Sequence, residues 1–216
     1  MEEFAYNEER DGKWGVFMYN IITIERKYAS GGNEIGKRLA EALGYKLYDR
    51  NIIMEAAQKL DIPFFQIEGL EESGSGGMFL NLYRTPLGGL SDHKDLPLAD
   101  KLFLEEKRII EEAAKEGNCV LVGRASGYIL KEWENNLRVF IYAEHDKRIQ
   151  RAIEREGIQK AEAEAALKTN DKRRSSFYNS VTNQEWSDPK CYELYMNAGK
   201  LGIDLCVRML MEAVKG

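Results

Sequence analysis

Ile21-Ile22-Thr23-Ile24-Glu25-Arg26-Lys27-Tyr28-Ala29-Ser30-Gly31-Gly32-Asn33-Glu34-Ile35-Gly36-Lys37-Arg38-Leu39-Ala40 is the stretch on which the fold turns. A β-branched apolar run leads into Ser-Gly-Gly, and the turn opens into an amphipathic helical pattern. Strand, glycine turn and helix in that order build a phosphate cradle. The first N–H groups of a helix have no intrahelical acceptor, and its dipole favours negative charge there. The usual cradle sequence is G-x-x-x-x-G-K-[ST]. Here the lysine position after Gly31 holds Gly32, and no metal-binding Ser or Thr follows it, since Asn33 and Glu34 stand there. Read alone, the segment suits a plain tight turn as well as an anion cradle.

Composition bounds the rest. The chain has 216 residues, 44% hydrophobic and 31% charged, and a net charge of −5. One α/β domain of this size buries about 70% of its unfolded surface and needs no staples. The acidic balance argues against a general nucleic-acid or membrane binder, so any basic surface is local. The three cysteines, Cys119, Cys191 and Cys206, form no CxxC pair and no zinc spacing. With no apolar leader, they predict a reducing, cytoplasmic setting. His93 and His145 sit among charged neighbours and read as surface residues.

Along the chain, 1–17 is predicted as a loose arm and 18–216 as a single domain. Strands are expected at Met18–Glu25, Tyr45–Tyr48, Cys119–Val122, Arg138–Ala143 and Tyr192–Asn197. Helices are expected at Glu34–Leu43, Asn51–Leu60, Ala99–Glu116, Asp146–Arg155, Gln159–Tyr178 and Leu201–Val214, with Gly44 and Gly117 as stops. Ala161–Leu167 reads as a solvent-facing stretch. The tryptophans and tyrosines read as scattered, and Phe177 as packed on the sheet. Leu201–Val214 suits a closing helix or a dimer surface equally. Residues 71–96 break the pattern, with Ser73-Gly74-Ser75-Gly76-Gly77 and Pro86; a loop this long is a functional segment or disordered. Alternating strands and helices predict a mostly parallel sheet covered on both faces.

Ligands of such sheets bind beyond the carboxyl ends of the strands. Those ends deliver Ser30 to Glu34, then Asp49, then Gly123-Arg124. Arg148 and Arg151, spaced i, i+3, follow the fourth strand, and Asp171-Lys172-Arg173-Arg174 comes later. Arginine matches phosphate because its planar fork donates two parallel hydrogen bonds. Arg148 and Arg151 read equally as a solvated helix face. Arg124 follows an apolar strand and a glycine, where a buried charge requires an anionic partner.

In order and spacing, the runs I-T-I-E-R-K-Y-A-S-G-G-N-E-I-G-K-R-L-A, Y-K-L-Y-D-R-N-I-I, V-L-V-G-R-A-S-G-Y-I-L, R-V-F-I-Y-A and D-K-R-R-S-S-F-Y resemble the cytidylate kinase-like proteins, within the P-loop nucleoside monophosphate kinases. The resemblance covers roughly 19–214. It implies a three-layer α/β P-loop NTPase-like fold with a helical lid near 148–178 and an acceptor-binding insert near 62–100. It implies transfer of the ATP γ-phosphoryl group, with Mg²⁺, to a nucleoside monophosphate such as CMP or dCMP. By the same resemblance, Ser30, Gly31, Gly32, Asn33, Glu34 and Ile35 hold the donor phosphates and Arg148 and Arg151 clamp ATP. Asp49, Arg124, Asp171 and Arg174 serve the acceptor, with Arg124 and Arg174 also in the catalytic role.

The chain departs from the pattern at several of these positions. The Walker lysine and its neighbouring hydroxyl are absent, and Asn33 stands near a position where relatives commonly carry arginine. Arg26, Lys27 or Lys37 can reach in, Lys37 from about one helical turn away. Val122 replaces an acid, Ala125 replaces the base-recognising Asp of Gly-Arg-Asp, and an expected arginine falls near Glu55. Three functions remain open: a kinase with a degenerate phosphate loop, an inactive nucleotide-binding sensor or regulator, and a protein-interaction domain reusing the fold. Oligomeric state is not legible.

Overall fold

The computed structural model describes residues 19–63, 66 and 96–215. The expected arm, most of the expected insert and His93 lie outside the described residues. The elements are β1 (Ile21–Arg26), α1 (Gly32–Leu43), β2 (Lys46–Tyr48), α2 (Asn51–Lys59), α3 (Leu98–Glu116), β3 (Cys119–Val122), α4 (Ser126–Ile129), β4 (Asn136–Tyr142), α5 (His145–Glu154), α6 (Ala163–Thr182), β5 (Leu194–Asn197), α7 (Ala198–Leu201) and α8 (Ile203–Lys215). The five strands run parallel in the order β2-β3-β1-β4-β5. β1 is central, flanked by β3 and β4, so the chain reverses its direction of travel across the sheet beside β1. That switch opens a crevice at the carboxyl end of β1.

Alternation along the strands divides the core into layers, because successive side chains point to opposite faces. Ile21, Cys119 and Leu121 face α2 and α3, packing with Ile52, Ala56, Ile109 and Ile110. Ile22, Ile24, Val120, Val122 and Val139 face α1 and α8, packing with Ile35, Leu39, Cys206 and Leu210. Helices therefore cover both faces of a three-layer α/β P-loop NTPase-like fold. The last helix packs on its own sheet through Cys206, Val207, Leu210 and Val214, while Leu205 and Met209 on it are exposed.

Two expectations are corrected. The stretch around Ala161–Leu167 is not wholly solvent-facing: α6 starts at Ala163, and Ala163 and Leu167 are 0% and 3% exposed, packed against Ile149, Ala152 and Ile153 of α5. α6 also runs on to Thr182, because Tyr178 and Val181, one turn apart, are buried at its far end. The aromatics are not scattered. Phe140 stacks on Tyr195 at 4.8 Å and meets Trp186 edge-on at 5.3 Å, with Tyr192 beside it. Each such pair adds about 0.5–1.5 kcal/mol beyond the area it buries. No helix among the described residues is long and apolar enough to cross a membrane.

Candidate functional site: a cradle crossed by arginine

The crevice begins where β1 ends. Lys27 N–H still donates to Ile141 O at 2.9 Å, and then the chain turns sharply through Tyr28 and Ala29, the latter left-handed at φ 54°. The buried Ser30 hydroxyl lies 2.8 Å from Lys27 O and 3.2 Å from Ile141 O, which stitches the turn to β1 and β4. Gly31 adopts φ 93°, a left-handed conformation that other residues rarely enter, and α1 starts behind it. The expected loop 30–35 is thus the N-terminus of a twelve-residue helix aimed into the crevice.

α5 and α6 fasten onto this turn. Arg148 Nε donates to Tyr28 O at 2.7 Å, and Tyr28 N–H donates to Asp171 Oδ1 at 2.8 Å. Arg148 Nη2 closes the ring on Asp171 Oδ2 at 2.7 Å. Both predicted site residues therefore grip the two backbone polar groups of Tyr28. Ala29 packs with Ala152, Ala163 and Leu167 beneath them. Arg151, one turn on, pairs with Glu34 above Gly31, and Arg38 also faces Glu34 at 3.6 Å. The Arg151 hydrogen bond holds the Glu34 carboxyl below its usual range. The Glu34 charge is thus neutralised by its own neighbours. Arg151 Nε is buried without a hydrogen-bond partner among the described residues.

Arg124 follows β3 on a left-handed pair, itself at φ 60° and Ala125 at φ 53°. Its Nε donates to Glu106 Oε2 at 2.9 Å, its Nη2 contacts both Glu106 oxygens, and its guanidinium lies 4.2 Å above the Phe177 ring. Glu106 is fully buried on α3. Phe177, expected on the sheet, meets Phe103 edge-on at 5.9 Å and forms the floor under Arg124. Asp49 accepts from Asn51 N–H at 3.2 Å at the head of α2.

Arg174 Nη1 donates to Arg26 O at 2.9 Å, and the group also lies over the Tyr28 ring. Burial, with Arg26 adding repulsion, pulls the Arg174 pKa down to about 9, so it stays charged at neutral pH. Arg26 is likewise lowered by burial, with Arg124 adding to the effect and Glu25 and Asp49 opposing it. Neither Arg26 nor Arg174 forms an ion pair within 4.0 Å among the described residues. Lys37, another sequence candidate for a replacement cation, instead faces Glu41 on the surface of α1.

Sequence reading did not find Glu25, Glu106 or Trp186. Glu25 is buried and accepts from Ala125 N–H at 3.2 Å and from the Trp186 indole at 3.0 Å, linking β1, the Arg124 turn and the aromatic core. The signal for Glu106 was an acid on an apolar stripe, between Phe103 and Ile110 at helical spacing.

Metal ligands are sparse. The Ser30 hydroxyl is spent on backbone, Glu34 is paired, and Val122 is apolar. No group of three or more His, Cys, Asp or Glu among the described residues is arranged to hold a metal ion. These donors do not fit a protein-built Mg²⁺ site.

Beside the loop, between α5 and the β5–α8 connection, lies a cavity of about 260 Å³, lined in part by Ser30, Lys147, Arg151, Gly199, Gly202 and Ile203. It opens beside the N-terminus of α1. Residues 21–200 match the sequence profile of the Cytidylate kinase-like family. The chain belongs to that family. Curated relatives include the cytidylate kinase of Archaeoglobus fulgidus, 26% identical over 90% of this chain and 94% of the relative. The cytidylate kinase of Thermococcus sibiricus is 32% identical over 85% of this chain and 82% of the relative. Among solved structures, an uncharacterized protein from Eubacterium ventriosum superposes with a TM-score of 0.68 at 23% identity, covering 91% of this chain and 98% of that one. Shikimate kinase from Bacteroides thetaiotaomicron superposes at 0.51 and 15% identity, over 91% and 98%. These two likenesses speak for the fold.

Proposed function

We propose that this family member is a nucleotide kinase that moves the γ-phosphoryl group of ATP to a nucleoside monophosphate of the CMP or dCMP type. The observation that carries the reading is the pair of partly buried guanidinium groups, Arg26 and Arg174, set at the mouth of the helix-start cradle with no ion pair among the described residues. Like charges held together away from water cost stability unless an anion lies between them. A phosphate chain supplies several negative oxygens in one place.

On this reading the N–H groups of 30–35 hold the donor phosphates, and the donor nucleoside enters the cavity beside Lys147 and Arg151. Arg174 faces the transferred group. Asp49 and Arg124 line the acceptor side, with Arg124 aimed by Glu106 and Phe177. Phosphoryl transfer asks mainly for positioning and charge neutralisation, which these groups provide. Mg²⁺ in such reactions is carried largely by substrate phosphates and water, and this loop adds no ligand set of its own. A nucleotide-binding protein without turnover is the second reading; the ion pairs Arg124–Glu106 and Arg151–Glu34 favour it.

The test is a coupled turnover assay with ATP, Mg²⁺ and each monophosphate in turn, run beside thermal melts. ATP at a hundred times its Kd raises the stability by about 2.7 kcal/mol, or about 5–11 °C for a chain of this size. Turnover with a cytidine monophosphate above the other bases is the expected result. Stabilisation without turnover selects the second reading, and no response to any nucleotide overturns both.

A further inference from the structure

A P-loop kinase needs a cation on the phosphates, and the residue after the glycine turn here has no side chain. We propose that Arg26 is that cation, delivered by the end of β1 instead of by the first turn of α1, and that Asn33 positions it. The inference rests on the kinase reading above.

The geometry shows a trade of one side chain for another. A Cβ built on Gly32 would lie 2.5 Å from Arg26 Cβ and 2.8 Å from Arg26 Cγ. No real Cβ tolerates such contacts with a strand residue's stem, so a lysine at 32 and an arginine at 26 exclude each other. The far end of Arg26 is accommodated in the same way. A Cβ on Gly123 would collide with Nη1, so the guanidinium lies over Gly123 at the head of the Arg124 turn. The side chain therefore spans the crevice from the cradle to the carboxyl end of β3, passing over two glycines. Asn33 Oδ1 accepts from Nε at 2.8 Å. That bond fixes the plane of the fork, with Nη1 against Gly123. An acceptor oxygen at 33 suits this task, whereas a cation there would repel Arg26.

In the reaction, an oxygen of the acceptor monophosphate bonds to the γ-phosphorus. The bond from that phosphorus to the β–γ bridging oxygen breaks, and its electron pair stays on the departing diphosphate. The acceptor oxygen is already ionised, so no proton needs to move. Negative charge grows on the bridging and terminal oxygens, and a fixed guanidinium there stabilises the transition state more than the ground state.

The experiment uses the full-length protein and begins with wild-type turnover of ATP with CMP and dCMP. Arg26→Gly is expected to lower kcat about 10²-fold or more, with KM for the monophosphate within about threefold of wild type. The double variant Arg26→Gly/Gly32→Lys clears the strand side chain and restores the helix-borne cation. It is expected to recover at least about tenfold over Arg26→Gly, which a merely structural role for Arg26 would not produce. Asn33→Ala is expected to cost about tenfold in kcat with little change in KM. The proposal is overturned by a kcat for Arg26→Gly within about threefold of wild type, or by a loss that Gly32→Lys does not recover. Should Arg26→Gly fail to fold by circular dichroism, Arg26→Lys takes its place. It keeps the charge but drops the bond to Asn33; a roughly tenfold lower kcat supports the assignment and wild-type activity overturns it. If wild type turns over no nucleotide, the kinase reading fails by itself, and inorganic tripolyphosphate becomes the probe. A Kd raised about tenfold in Arg26→Gly still supports Arg26 as the phosphate cation, and an unchanged Kd removes it.

Discussion

Glu106→Gln removes one charge and keeps nearly the same shape, at a position that is 0% exposed. Its partner Arg124 is held through Nε at 2.9 Å and through Nη2, and its side chain is 16% exposed. Removing one member of a buried pair strands the other charge, at a cost of about 3–5 kcal/mol. The amide can still accept one hydrogen bond, so the lower end applies. The same pair also helps hold Arg124 and Ala125 in left-handed backbone, which by itself costs about 1–3 kcal/mol per residue. A loss of 3 kcal/mol lowers the melting temperature by about 6–12 °C for a chain of this length. The assay is thermal and urea unfolding of wild type, Glu106→Gln, Arg124→Met and the double variant. With no charge left stranded, the double is expected to lose less than the sum of the singles by about 2 kcal/mol. Additive losses, or a fall under about 2 °C for Glu106→Gln, would refute the argument that a buried ion pair sets the Arg124 turn.

Asp171→Asn or Arg148→Met is expected to loosen the clasp on Tyr28, costing about 1–3 kcal/mol, and Asp171→Asn to speed hydrogen exchange at the Tyr28 amide; unchanged exchange there would show that the turn holds itself. Asp100 is 3% exposed with neither carboxyl oxygen hydrogen-bonded among the described residues, and burial raises its pKa. A carboxyl raised in the folded state weakens folding as pH climbs through its folded value, so Asp100→Asn is expected to stabilise by about 1–3 kcal/mol at neutral pH. That gain should vanish below pH of about 4, where both states are protonated; a gain independent of pH sinks the explanation. Burial pushes the Cys119 thiol up to about 12, and Cys206 is also buried, while Cys191 is partly exposed. A thiol reagent is therefore expected to modify Cys191 alone in the native protein and all three in denaturant; rapid native labelling of two or more would contradict this packing.

Much of the frame could be read from the linear chain because its signals are local. β-branched runs bury on both faces of a parallel sheet, glycines end α1 and α3, and strand–turn–helix order at 21–40 fixes where the first helix N-terminus falls. Alternating elements set the parallel topology, and the spacing of the short motifs was enough to place the family. What the sequence left open was decided by contacts between residues far apart in number. Arg148 and Asp171 looked like nucleotide ligands, yet they close on Tyr28, 120 and 143 positions away from it. Arg124 calls for an anionic partner that the sequence does not name until Glu106 is brought beneath it from α3, and Glu34 is an unpaired acid until α5 delivers Arg151. Arg26, Lys27 and, about one helical turn farther off, Lys37 were all candidates along the chain. Packing separates them, because only a strand-end side chain crossing Gly32 and Gly123 meets Asn33 in the crevice. Periodicity and turn chemistry act over a few residues and so are written in the sequence, whereas charge pairing acts through space and exists only once the fold has chosen the neighbours.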